Sequence, residues 1–348
     1  MSQSPVTRRQ LLGGVGALIA GAAMARGRQG SKPGQACVSP ASGIEPPRRL
    51  APRDELVLMR EFEENAKFAL SSAVFSTIAG GDHCAFDRIT LRPRLLIPTL
   101  DMDLSVELFG DRLFAPILVG PIPEQMRYHH EGEIATARGA SAAKAVMVVS
   151  SGSSAPIEQV AAQARAPLWF QVAIEPGAAS QIQRAVKAGC KAICVSVGAA
   201  PAIDWAAIDQ LRNGLSRPLL VTGIMTPAEA ESAIRHGAQG IIVSRHGRPH
   251  PEAPIMVLPS IVDAVGGKVP VLVQGGFELG ADIFKALAFG ARGVLIGRPA
   301  MWGLSAYGSG GVQSVLRMLQ CDLGRTMAMS GTPNLASIDR SRLKLHAA

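Results

Sequence analysis

From about residue 116 onward, short β-branched apolar runs alternate with longer stretches in which apolar positions recur every three or four residues. The first pattern marks strands buried on both faces of a parallel sheet, and the second marks amphipathic helices packed over it. Strands are predicted over 116–121, 146–151, 168–173, 192–198, 218–224, 240–246, 271–276 and 294–299. Helices are predicted over 131–144, 157–164, 178–188, 205–211, from Pro227, near 258–265, over 281–288 and over 312–329. The clearest helix start is Thr226-Pro227-Ala228-Glu229, a capping box with proline in the first turn. Eight consecutive strand–helix units are the number that closes a (β/α)8 TIM barrel. A doubly wound open sheet is the alternative, but such sheets seldom run eight parallel strands in succession.

Ahead of this series, 53–70 reads as a helix with Leu56, Leu58, Met59, Phe62 and Ala66 near one face. Two short strands or extended arms follow over 86–96 and 104–113, with Gly110-Asp111 as a turn. Further back the pattern dissolves. Residues 26–52 are rich in Gly, Pro, Ser and Arg without periodicity and read as a flexible linker. Residues 1–25 carry Thr7-Arg8-Arg9-Gln10-Leu11-Leu12, a mildly apolar run and Ala23-Met24-Ala25, the layout of a twin-arginine signal peptide with a cleavage site. The expectation is export to the periplasm, with the barrel domain over 53–340 and no membrane span once the signal is removed.

Charge changes meaning when divided along the chain. The net charge is +8, but residues 1–50 hold seven Lys/Arg against Glu45. The remainder is nearly neutral, so a nucleic-acid surface is not expected. The chain is 47% hydrophobic and only 4% aromatic, as tightly packed α/β layers require. The five cysteines have no CxxC spacing, and no metal site is expected from them. Cys190 and Cys194 read as core residues.

In a barrel all strand ends converge on one face. The set here is Pro121-Ile122, Ser150-Ser151, Gln171, Ser196, Thr222, Ser244-Arg245-His246, Gln274-Gly275-Gly276 and Gly297-Arg298. Gly275, Gly276, Gly297 and Arg298 follow the seventh and eighth strands, where barrels frequently bind phosphate. Ser150, Gln171, Ser196 and Thr222 can hydrogen-bond the edge of a flat heteroaromatic ring. Together they point to a nucleotide-like cofactor, although each singly is accounted for as a core hydroxyl or amide satisfying its own backbone. His246 is the one histidine at a strand end and the natural general base. Arg248 could hold a substrate carboxylate beside it.

These residues carry a resemblance. The matching stretches include Phe86-Asp87-Arg88-Ile89, His130-Glu131-Gly132-Glu133, Trp169-Phe170-Gln171, residues 240–247, Asp282-Ile283-Phe284-Lys285 and Gly297-Arg298-Pro299. In these the chain resembles the FMN-dependent α-hydroxy-acid oxidases and dehydrogenases, over about 55–338. The resemblance implies a TIM barrel and an oxidoreductase acting on a small-molecule 2-hydroxy acid. It also implies His246 as the base that takes a substrate proton, with FMN held by Pro121, Ile122, Ser150, Gln171, Ser196, Thr222, Ser244, Gly275, Gly276, Gly297 and Arg298. It leaves room for a homo-oligomer.

Several positions depart from the family pattern. The family's carboxylate-binding tyrosine is Thr77, and a second tyrosine is Ala173. The aspartate that charges the catalytic histidine is Gly198, and the loop after it is short. The lysine that balances reduced flavin is Thr222. Asp-Gly-Gly becomes Gln274-Gly275-Gly276, a phosphate-binding arginine becomes Glu278, and the substrate arginine survives only as Arg248, one position out of register. The expectation is a slow oxidoreductase whose His246 titrates near the ordinary value. The alternative is a catalytically inactive barrel that binds FMN, another phosphate ligand or a partner.

Overall fold

The computed structural model describes residues 49–346, apart from 82, 95, 96, 98, 100, 199–201 and 247. The expected signal peptide at 1–25 and nearly all of the 26–52 linker lie outside the described residues. The chain enters through α1 (Met59–Ala69), a single-turn α2 (Ser72–Phe75) and β1 (Ile89–Leu91). The hairpin β2 (Val106–Leu108) and β3 (Asp111–Leu113) follows. Its turn uses Phe109 and Gly110, both at positive φ, the geometry that matches the twist of a two-residue hairpin.

Then come the eight barrel strands and their helices in strict alternation. They are β4 (Ile117–Val119), α3 (Gly132–Ala142), β5 (Met147–Ser150), α4 (Ile157–Gln163), β6 (Leu168–Ala173) and α5 (Ala178–Lys187). β7 (Ala192–Ser196), α6 (Trp205–Arg212), β8 (Leu219–Ile224), α7 (Pro227–Arg235), β9 (Gly240–Val243) and α8 (Pro254–Val265) continue the series. It ends with β10 (Val271–Gln274), α9 (Gly280–Ala288), β11 (Gly293–Ile296) and α10 (Arg298–Met329). The parallel strands pair in the order β4 to β11, and β11 returns to β4, closing the barrel. Contacts gather the described residues into one unit.

Side chains divide cleanly by parity. Outward residues such as Ile117, Val119, Val149, Phe170, Val195, Val221 and Val273 join the large core beneath the helices. Inward residues form a second cluster with Val106, Leu108 and Leu113 of the hairpin. The hairpin therefore plugs the amino-terminal mouth, with Phe109 edge-on to Trp169 at 5.5 Å. Cys194 sits inside the barrel and Cys190 outside it, both fully buried, as expected for core thiols. Desolvation pushes both thiols up, which keeps them protonated.

The structure departs from the expected elements at both ends. Ala51, in the stretch expected as linker, donates its N–H to Asn65 Oδ1 (2.9 Å) and accepts from Tyr307 Oη (2.7 Å) at its carbonyl. The fold runs past 340 to β12 (Leu343–Leu345), which pairs antiparallel with β1. Of the extended arm expected over 86–96, the described residues form a strand only at Ile89–Leu91. A 3-10 turn spans His83–Arg88, and Lys285 Nζ donates to Phe86 O (3.0 Å). The last helix begins at Arg298 rather than 312, because glycines 303, 308, 310 and 311 blur its apolar period. It kinks at Tyr307 and Gly308, where φ and ψ leave the helical region.

Strand β8 carries a register shift against β9 between Thr222 and Ile224. Gly223 sits there at φ +100°, and a Cβ on it would lie 2.6 Å from Val197 Cγ2. Gly223→Ala should therefore destabilise the fold by about 1–3 kcal/mol, combining left-handed strain with a clash against a stiff β-branched neighbour. Chemical denaturation checks it; an unchanged midpoint would show that the bulge does not need glycine.

Candidate active site

Strand alternation fixes what reaches the open, carboxyl-terminal mouth. Leu118, Val148, Trp169, Cys194, Leu220, Ile242, Leu272 and Leu295 face inward. Two residues further along each strand, on the same side, stand Gly120, Ser150, Gln171, Ser196, Thr222, Ser244, Gln274 and Gly297. Ser150, Gln171, Ser196, Thr222 and Ser244 are all buried. Ser150 Oγ donates to Gln171 Oε1 (3.2 Å), which assigns the amide's Nε2 as the end able to donate elsewhere. Thr222 Oγ1 and Ser244 Oγ share a hydrogen bond of 3.1 Å, and Gly198 N donates to Ser196 Oγ (3.3 Å). The mouth is thus floored by neutral donors and acceptors.

Above this floor a cleft of about 780 Å³ is lined by Ser244, Arg245, His246, Arg248, His250, Gln274, Gly275 and Arg298. A smaller cavity of about 210 Å³ shares Gln274, Gly275 and Arg298 and adds Gly80, Gly81, Ile122, Gly276, Glu278 and Gly297. The shared residues make the two a continuous groove across the seventh and eighth strand ends. Pro121 is buried beside Ile122. Gly297 caps α10, so the first turn of that helix faces the groove, and Arg298 Nη1 donates to Gly80 O (2.8 Å). Every residue expected to hold the cofactor thus lies at this mouth.

His246 follows β9 at φ +39°, an uncommon conformation for a residue with a side chain. Its imidazole is lowered from the ordinary histidine value by burial, and among the described residues no carboxylate opposes the shift. This corrects the expectation of a near-ordinary titration: desolvation without a counter-ion disfavours the imidazolium.

Arg248 also differs from expectation. Its Nη2 pairs with Glu229 Oε1 at 2.8 Å, both side chains being less than one-fifth exposed, and its Nη1 donates to Gly223 O (3.1 Å). Glu229 Oε2 meanwhile accepts from Met225 N and Thr226 N (2.9 and 3.2 Å). The guanidinium expected to grip a substrate carboxylate is neutralised by a protein carboxylate and clamps two loops together.

The remaining departures have structural answers. Thr77 Oγ1 lies 3.1 Å from Tyr128 Oη, so a phenol from another element reaches this position. Gly198 adopts φ +69° with open space where a Cβ would project. Glu278 is held above its ordinary value, chiefly by burial. The sequence reading missed Glu229, Tyr128 and Gly120. The capping box had marked Glu229 only as a helix start, and parity counted from Leu118 would have found Gly120. Tyr128 left no local signal. Outside the groove, His129, His130 and Glu131 bring ligand-type atoms within 4.8 Å of one another. His129 Nδ1 already accepts from Glu131 N, and Glu131 Oε1 takes Arg138 Nη1 at 2.6 Å.

Comparison with known proteins gives a consistent result. The model of the FMN-dependent dehydrogenase family matches residues 77–200 and 197–345. A peroxisomal (S)-2-hydroxyacid oxidase of Arabidopsis thaliana is 34% identical across 84% of this chain and 97% of its own length. Glycolate oxidase of Spinacia oleracea is 34% identical across 83% of this chain and 96% of its own. A crystal structure of mandelate oxidase with (S)-2-phenylpropionate superposes with a TM-score of 0.79 at 31% identity, covering 84% of this chain and all of that one. With the barrel, its polar mouth and a lone strand-end histidine in the places described, the chain belongs to the FMN-dependent dehydrogenase family, that of the 2-hydroxy-acid oxidases.

Proposed function

We propose that this chain oxidises the CH–OH group of a 2-hydroxy acid, with His246 as the base and with turnover slowed by the missing carboxylate. The observation that carries it is His246 at the end of β9, desolvated and open to the groove. The cofactor is FMN, and the residues fit it. Gln274 Oε1 is buried without a hydrogen-bond partner, an acceptor suited to a ribityl hydroxyl. A Cβ on Gly297 would meet Ile122 Cδ1, and one on Gly275 would meet Pro254 Cγ, each at 3.4 Å. Both are ordinary van der Waals contacts; the feature that favours an anion is the start of α10 at Gly297, whose first turn lines the groove. The uncharged Ser150–Gln171 and Thr222–Ser244 pairs match a polar ring edge. When bound, FMN supplies the two-electron acceptor.

The protein's share of the chemistry follows from its own groups. Neutral His246 takes a proton from the substrate carbinol at a ring nitrogen. Burial favours that neutral form, so the base is ready at lower pH than an exposed histidine would be. The same burial makes the imidazolium formed in the reaction less stable. Arg248 cannot be the sole carboxylate anchor while it is paired to Glu229; Arg245 and His250 line the same groove wall.

Protein produced without residues 1–25 should carry non-covalent FMN, seen as a visible flavin spectrum and released on denaturation. Colourless protein that cannot be reconstituted with excess FMN would remove the cofactor from this reading. Flavin reduction by a panel of 2-hydroxy acids under anaerobic conditions should rise with pH, because the base must be neutral. Since the His246 value is lowered, the midpoint should fall below the ordinary ~6.5. His246→Ala should slow reduction by about 10²–10⁴-fold. Gly198→Asp should accelerate it, as aspartate tolerates positive φ better than most residues. Reduction seen only with Gly198→Asp would make the natural chain an inactive binding barrel.

We also propose export by the twin-arginine route, on the strength of Arg8-Arg9 and the apolar run behind them. Among the described residues no helix is long and apolar enough to cross a membrane. Replacing Arg8 and Arg9 by Lys should leave a reporter fused after Ala25 in the cytoplasm. Unchanged export of that double variant would dismiss the signal.

A further inference from the structure

The phosphate end of the groove contains a carboxylate that has no obvious business beside an anion. Glu278 lines the 210 Å³ cavity together with Arg298, Gly276 and Gly297. A Cβ built on Gly81 would lie 3.1 Å from Glu278 Oε1 and 3.7 Å from Arg298 Nη1. The acid and the guanidinium therefore converge on one point, and Gly81 leaves the room for them to do so. Arg298 brings one positive charge and Glu278, when ionised, cancels it. A phosphate monoester carries roughly −1.5 to −2 near neutral pH. Adding it would leave a site of net negative charge in a half-enclosed cavity, where like charges a few ångströms apart disfavour joint ionisation.

We propose that FMN binding to this chain takes up a proton at Glu278, whose neutral carboxyl then donates its O–H at the phosphate end. The inference rests on the assignment of FMN to this groove. Among the described residues, the charged and titratable groups acting on Glu278 are His83, Glu63, Asp282 and Arg298. Glu63 Oε1 accepts from Gly80 N (2.7 Å), and His83 Nε2 lies 3.1 Å from the buried Asp282 Oδ2. Burial acts first to raise Glu278; His83 and Arg298 act to lower it, and the neighbouring Glu63 and Asp282 act to raise it. Even before ligand arrives, burial holds Glu278 above the usual carboxylate range. A protonated carboxyl turns a repulsive neighbour into a charge-assisted donor, so the site works as a proton-linked phosphate clamp.

The test is calorimetric titration of flavin-free protein with FMN in two buffers of different ionisation heat. It is run at about pH 7.5, above the second phosphate pKa of about 6. The natural chain should take up close to one proton per FMN, and its Kd should rise toward tenfold per pH unit as pH increases further. Glu278→Gln should take up none and bind FMN more tightly than the natural chain at high pH. Riboflavin, which lacks the phosphate, should bind both proteins without proton uptake. Uptake that persists in Glu278→Gln would move the proton to His83 and overturn the proposal, as would FMN binding to the natural chain with no uptake. Failure of both flavins to bind would instead overturn the cofactor reading itself, and the proposal with it.

Discussion

The two-residue period of a strand inside a closed barrel is the constraint on which the rest depends. Once Leu118, Val148, Trp169, Cys194, Leu220, Ile242, Leu272 and Leu295 are turned inward to fill the barrel, the residues two places later have no choice of direction. A one-residue slip would exchange Ser150, Ser196, Thr222 or Gln274 at the mouth for the outward Val149, Val195, Val221 or Val273 and leave a hydroxyl or amide under the helices. The apolar filling and the polar floor are therefore one decision made by one register. The hairpin plug completes it, because sealing one mouth leaves a single end through which ligand can enter.

Charge at that open end is mostly committed to the protein. Arg248 is held by Glu229, Arg298 leans on the Gly80 carbonyl, and Glu278 stands near Arg298. Partly buried pairs of this kind contribute less net stability than their Coulomb energy implies, since both partners lose hydration. Their effect is geometric: each ties a loop of the mouth to another. The Glu229 carboxylate bonds the α7 start with one oxygen and Arg248 with the other, so the segments after β8 and β9 are tied to each other.

Much of this was legible in the chain. Eight apolar runs with helical intervals gave the barrel, and the capping box at Thr226 appears as read, with Thr226 Oγ1 accepting from Glu229 N (3.3 Å). The strand-end residues also stand where expected, because parity is local information. What was not legible is pairing across the chain. The partner of Arg248 lies 19 positions away by sequence, Thr77 meets Tyr128 at a separation of 51, and β1 meets β12 only through the fold. The first part of α10 was missed because its apolar faces are interrupted by glycines that serve close packing: Gly303 and Gly311 approach each other's backbone, and Gly139 of α3 approaches Ser309. Likewise His246 was expected to titrate normally, since sequence shows the absence of an aspartate but not the degree of burial.

Burial and strain at His246 act on different parts of the same problem. A carboxylate partner would both orient an imidazole and stabilise its charged form. Orientation has other sources here. Gly223 makes the bulge beside His246, and a Cβ there would fall 3.9 Å from His246 Cβ as well as against Val197. The Gly223 carbonyl is in turn fixed by Arg248, two residues beyond the histidine. His246 is thus held at φ +39° by a bulge on one side and an ion-paired arginine on the other, a backbone state that persists only where its surroundings over-determine it. Stabilisation of the charged form has no such substitute, because hydrogen bonds and packing can place a ring but only a nearby negative charge offsets desolvation of the imidazolium. Among the described residues the structure therefore supplies what places the His246 ring and leaves its desolvation unopposed by a nearby negative charge.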